Sequence, residues 1–329
     1  MFITPLVLTF ATLTASAVFP SSYCTQPVTR IEWRQLSDGD RRSYVAAVRC
    51  LRTKESVLGL NTSLYDDFPY VHNALNKRSK LAIDPDVSNY LLRPETVHLV
   101  AAFLPWHRYF VHLYERALQS CGYNGSATYW DWAWDSIDPM DRAPMWDAKT
   151  GFGGSGSQQN RSLCVSDGPF RDFRPAYLRN TLHPHCLARN FNNGTDFPGD
   201  MSAPKYSPTV VNKIQALGNY NTYRLAMEGG PHFSIHRAIG GDMIPATSPN
   251  DPIFFLHHGQ IDRLWYQWQQ KDPVKRHKEY SGIRTQNQFD GTTPPQANLN
   301  DILPMFGLAA DLPVSKFLTT QNDVLCYKY

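Results

Sequence analysis

Apolar positions along the chain repeat at helical spacing in six stretches, separated by segments rich in proline, glycine and short polar residues. Over 37–56 the stripe Tyr44, Val45, Val48 and Leu51 predicts a helix, with Ser37 and Asp38 near its start. A shorter helix is expected over 67–76. The run WHRYFVHLYERALQSC predicts a third over 105–121, ended by Gly122. Helical spacing returns over 207–217, 230–238 and 255–270, the last with Leu264, Trp265 and Trp268 on one face. Over 129–207 the periodicity is lost, and the stretch holds GFGGSGSQQN and several prolines. A segment this long without regular structure is usually functional or stapled. From 271 to 329 the chain is proline-punctuated and mostly irregular. The pattern predicts a mainly α fold, with two helix clusters flanking a loop-rich insert.

The first 17 residues change the picture. They are apolar and uncharged, with Ala15 and Ala17 in an A-x-A arrangement, and they read as a secretory signal cut after Ala17. The run is too short to span a bilayer, and no later stretch does so. Residues 18–329 are then expected to form one domain. Asn61, Asn124, Asn160 and Asn193 each begin an N-x-S/T sequon. Six cysteines with no CxxC pair read as up to three disulfides in an oxidising compartment. Six allow 15 connectivities. One candidate pairs Cys24 with Cys326, Cys50 with Cys121, and Cys164 with Cys186, and the sequence does not select it. Lysine plus arginine number 32 against 29 acidic residues, with no basic block, which argues against a nucleic-acid partner.

Eleven histidines carry the candidate chemistry. His232 and His236 are four apart, so a helix there puts both rings on one face. Alone this is a weak signal, because HxxxH arises by chance. His258 and Asp262 have the same spacing, and Asp262 or Glu115 could orient a ligand imidazole, although an ordinary helix-pairing carboxylate is the simpler reading of each. An all-imidazole site suits copper or zinc and disfavours hard cations. His98 and His107 lie in one helix cluster and His232, His236, His257 and His258 in the other. That supplies more imidazoles than the three ligands of a catalytic zinc site.

Two longer segments bring a resemblance. His98-(4)-Phe103-Leu104-Pro105-Trp106-His107-Arg108-(2)-Val111-(3)-Glu115 resembles the first-copper signature of the tyrosinase family. Asp251-Pro252-Ile253-Phe254-Phe255-(2)-His258-(3)-Asp262 resembles its second. TYWDWAWD (128–135) and GGDM (240–243) are similar too, and the likeness runs from about residue 30 to the end, closest to short secreted fungal members. It implies a four-helix core holding two copper ions, with long loop-rich insertions. His72, His98 and His107 would bind one ion and His232, His236 and His258 the other. His72 rests on the looser motif YDDFPYVHN. His257 would stand beside the ligands, and His112, His183, His185 and His277 match no ligand position.

The resemblance also implies an activity: oxidation of small phenolic substrates, catechols or o-aminophenols, with O2. Reversible O2 carriage, as in haemocyanins, is the alternative. Three departures narrow it. Thr96 stands where some members have a cysteine joined to a histidine. Phe233 stands where hydroxylating members often have asparagine, with Glu228 the candidate acid beside it, so monophenol hydroxylation is in doubt. The ending CYKY resembles the close of the catalytic domain, so no shielding domain is expected. Phe233 and Arg237 are candidate pocket residues, Arg237 either for a substrate carboxylate or simply as an exposed arginine, and Phe254 could pack near the substrate, although a core phenylalanine is the simpler reading.

Overall fold

The computed structural model describes residues 24–75, 96–137, 140–156, 163–179, 181–192, 200–202, 204–286 and 292–329. The signal segment, Asn76, Asn160 and Asn193 lie outside them. Asn61 and Asn124 are exposed. No helix among the described residues is long and apolar enough to cross a membrane.

The first helix, α1 (Asp38–Leu51), starts where its cap was expected: Ser37 Oγ accepts from the Asp40 N–H, and two acids occupy the first turn. It stops short of residue 56. The Thr53 and Lys54 N–H groups bond three residues back, and the Lys54 carbonyl turns to accept from Leu64 N–H at 2.9 Å. Next come α2 (Leu64–Leu75), α3 (Phe103–Ser120) and the short α4 (Trp132–Asp135). Pro105 sits in the first turn of α3, where its missing N–H would have had no helical acceptor.

The second cluster comprises α5 (Pro208–Gln215), α6 (Tyr220–Met227), a π-helical turn (Glu228–His232), α7 (Phe233–Ile239), α8 (Ile253–Gln270) and the short α9 (Pro273–Arg276). The expected helix over 230–238 therefore begins as the widened turn. Helix α6 was missed, although Asn219 caps it and Tyr220, Tyr223 and Met227 bury one face.

Helices α3 and α8 pack along each other at the centre, with α1 against α3. Tyr114 and Phe255 stack across that seam with centroids 3.4 Å apart. Gly259 lets the TYWDW stretch run against α8: a side-chain carbon there would come within 2.9 Å of the Thr128 carbonyl oxygen. One buried apolar cluster runs from Trp33 to Tyr327.

Strands are few and two residues long among the described residues. β1 (Val28–Thr29) pairs in parallel with β6 (Tyr327–Lys328), in the register Val28 to Tyr327. β2 (Tyr177–Leu178) pairs with β3 (Thr181–Leu182), and β4 (Ile302–Leu303) with β5 (Leu312–Pro313), both antiparallel. The disulfides are Cys24–Cys326, Cys50–Cys121 and Cys164–Cys186, the candidate pairing. They join the two ends, tie α1 to α3, and staple the irregular insert.

The insert is also pinned from within. Arg189, fully buried, makes two bonds to Asp251 at 2.7 and 2.9 Å and donates to the carbonyls of Phe152 and Gly153. Asp251 in turn accepts from the Ile253 N–H, so the insert holds the start of α8.

Candidate metal centre

Three elements of the first half converge on one set of imidazoles. His72 comes from α2, His107 from α3, and His98 from the irregular segment before α3. One ring nitrogen from each lies within 4.8 Å of the other two, and the Nε2 atoms of His72 and His107 are 3.4 Å apart. In the second half, His232 from the π turn, His236 from α7, and His257 and His258 from α8 form a second set with the same spread. The sets meet where His107 and His258 stack, with ring centroids 4.2 Å apart. Phe103 lies 4.8 Å from both His107 and His232 and fills the space between the sets.

Backbone carbonyls aim four of these rings. Nδ1 donates to the Ala246 carbonyl from His72 (2.7 Å), to Phe103 from His107 (2.8 Å), to Glu228 from His232 (3.3 Å) and to Met243 from His236 (2.6 Å). A carbonyl only accepts, so each Nδ1 carries the proton and each Nε2 presents a lone pair. The Nε2 atoms of His232 and His236, and both ring nitrogens of His258, are buried without a hydrogen-bond partner. Such groups are costly unless something binds them.

Burial holds all the imidazoles below their ordinary pKa, His98 at about 3 and His236 at about 4. They are neutral at physiological pH, the state a metal needs. With no carboxylate or thiolate in either set, the donors fit copper or zinc and not calcium or magnesium.

A cavity of about 440 Å³ opens onto the centre, walled by His72, His98, His232 and His236 together with Phe233, Arg237, Ile244 and Gln286. Phe233 is half-buried in its wall and Arg237 is exposed at its edge.

Residues 62–271 match the family model described as the common central domain of tyrosinase. The chain belongs to the tyrosinase family. It is 36% identical over 316 residues to the tyrosinase-like protein phomQ2 of Diaporthe leptostromiformis, covering 94% of this chain and 74% of that one. Its fold superposes on a variant of the polyphenol oxidase from Thermothelomyces thermophila with a TM-score of 0.74 at 27% identity, over 92% of this chain and 88% of that one. A functional unit of octopus haemocyanin shares the fold alone, with a TM-score of 0.52 at 18% identity over 75% of this chain and 55% of that one. The tyrosinase family implies a dicopper centre and an oxidoreductase.

The fold of this tyrosinase-family chain decides between the alternatives open for several residues. Glu228, expected as an acid beside the phenol, does not line the cavity. It is fully buried, with Oε1 accepting from the Leu99 N–H (2.6 Å) and Oε2 from Arg224 (3.0 Å). Neither Asp262 nor Glu115 orients an imidazole. Glu115 is bonded to Arg30, and Asp262 to Arg30, Arg108, Tyr327 and Tyr329, so both anchor the chain ends to the core helices. Phe254 is fully buried with its ring 4.1 Å from His258, a packing residue beneath the centre. His257 is buried against His232, with both nitrogens unpartnered, closer to the second set than its expected supporting place implied.

Proposed function

We propose that this chain is a type-3 dicopper oxidase that oxidises o-diphenols or o-aminophenols to quinone products, with O2 as the oxidant. The observation that carries the reading is the meeting of two neutral, buried imidazole sets beneath one open cavity. His72, His98 and His107 would hold one copper ion, and His232, His236 and His258 the other. Bound copper supplies the O2 chemistry and the electron acceptor. The protein supplies neutral donors, fixed ring orientations and a partly apolar pocket.

Each o-diphenol gives up two electrons and two protons, and two such oxidations reduce one O2 to two waters. The substrate ring would lie against Phe233, with Arg237 at the mouth drawing an anionic substituent. No carboxylate stands among the described cavity-lining residues, so that part of the wall offers a monophenol no carboxylate base. That argues for diphenol oxidation over monophenol hydroxylation. We further take residues 1–17 as an export signal and 18–329 as one catalytic unit, a reading supported by the three disulfides.

The test is O2 uptake by copper-loaded protein offered phenol, catechol and o-aminophenol. Uptake with the last two is expected. Bound copper with no uptake would refute the oxidase, and reversible O2 binding without turnover would make the protein a carrier.

A further inference from the structure

We propose that Glu228 is a positioning residue that ties the two histidine sets to each other and so holds the two metals as a coupled pair. The inference rests on the dicopper reading above. Of the six ligand candidates, His98 alone lies outside a helix or helical turn, on the irregular segment before α3. Its imidazole therefore has no helical backbone to keep it in register. The following residue, Leu99, has φ of 56°, a left-handed conformation that residues other than glycine rarely adopt. Such backbone persists only where its surroundings enforce it.

The peptide unit between His98 and Leu99 is held at both poles. Its carbonyl accepts from Gln286 Nε2 at 2.6 Å, and its N–H donates to Glu228 Oε1 at 2.6 Å. Glu228 belongs to the other half of the centre. Its own main-chain carbonyl accepts from His232 Nδ1, so one residue is bonded to the peptide that follows a first-set ligand and to the ring of a second-set ligand. The second carboxylate oxygen meets Arg224, itself buried and bonded to Asn221, which secures the acid from the opposite side. With a buried donor on each oxygen, this carboxylate acts as a clamp between the two halves of the centre.

Glu228→Gln tests this without removing volume, because an amide offers one acceptor oxygen to two donors and one of the two bonds is lost. Copper content, copper affinity and the electron paramagnetic resonance of the Cu(II)-loaded protein are the readouts. Wild-type protein should take up two ions whose spins couple and give no signal. Glu228→Gln should bind one of the two about 10–100-fold more weakly, the usual effect of removing support behind a ligand, and should show the signal of isolated Cu(II). Glu228→Ala should show the same more strongly; if it fails to fold, Glu228→Gln carries the test. Two ions bound at wild-type affinity with no signal in a folded variant would overturn the clamp. Wild-type protein that takes up no copper would instead remove the dicopper reading itself.

Discussion

His107 on α3 and His258 on α8 lie face to face, 12° from parallel with centroids 4.2 Å apart. The contact sits on the packing seam between the two central helices, so the geometry of the centre follows from how α3 meets α8. Neutral rings can stack this closely, whereas two imidazolium ions would repel. Burial depresses the pKa of both.

His258 has both ring nitrogens buried and unpartnered, a cost of about 1–3 kcal/mol for such a group. His258→Leu should therefore melt no lower than wild type when both are metal-free. It should bind one copper ion in place of two and lose oxidase activity. Thermal melts with and without copper check this, and a markedly less stable metal-free variant would contradict it.

Acid should weaken the metal-free protein in a defined window. Unfolded histidines take protons near pH 6.5, while burial holds His98 at about 3 and His236 at about 4 in the fold. The unfolded chain then binds more protons. Stability is complete above about pH 6.5 and falls by about 1.4 kcal/mol per pH unit per such histidine below it. Urea midpoints between pH 8 and 4.5 should fall accordingly, and a flat profile would contradict the assignment.

Asp262 tests the anchor of the chain ends. Burial alone would raise its pKa, but Arg108, Arg30 and the Tyr327 and Tyr329 hydroxyls outweigh that and leave it below the ordinary carboxylate value. Its contribution is present above about pH 4 and is lost as pH falls through the lower folded value. Asp262→Asn should cost about 3–5 kcal/mol at neutral pH by leaving two buried guanidiniums short of a partner. Denaturant titration measures it, and a loss below 1 kcal/mol would show that the cluster is dispensable.

Phe233→Asn alone should not raise the ratio of phenol to catechol turnover. An asparagine there would need an available acid, and Glu228, bonded to Leu99 and Arg224, is not among the described residues that line the cavity. A gain of phenol hydroxylation in this variant would show that Glu228 can be released.

Arg237→Ala should raise KM for a carboxylated catechol about 2–5-fold relative to a neutral one, as suits an exposed charge pair. Equal KM changes for both substrates would remove the electrostatic role.

Much of this was legible in the residues. The apolar stripes marked α1, α3 and α8, and the histidine spacing marked two groups. Helix α6 was missed because its buried face is short and its cap, Asn219, follows a glycine that reads as loop. Arg189 was missed because a lone arginine in an irregular stretch reads as solvated, and only the folded insert delivers it to Asp251. For Asp262 the simpler reading, a pairing carboxylate, holds, and only the fold shows its partners. Spacing places Asp262 on the same face as His258, but the face is wide, and Arg30 and Arg108 reach the carboxylate first.

By itself the sequence determined which donors are present, in which stretches of chain they cluster, and hence the metals they suit, because those depend on side-chain identity and spacing. The tertiary structure alone decided which rings face one another, which nitrogen each presents and what Glu228 holds. The groups that make those choices are main-chain carbonyls and a peptide N–H, at Ala246, Phe103, Met243 and Leu99. Every residue type carries the same carbonyl, so no letter in the chain announces where one will point.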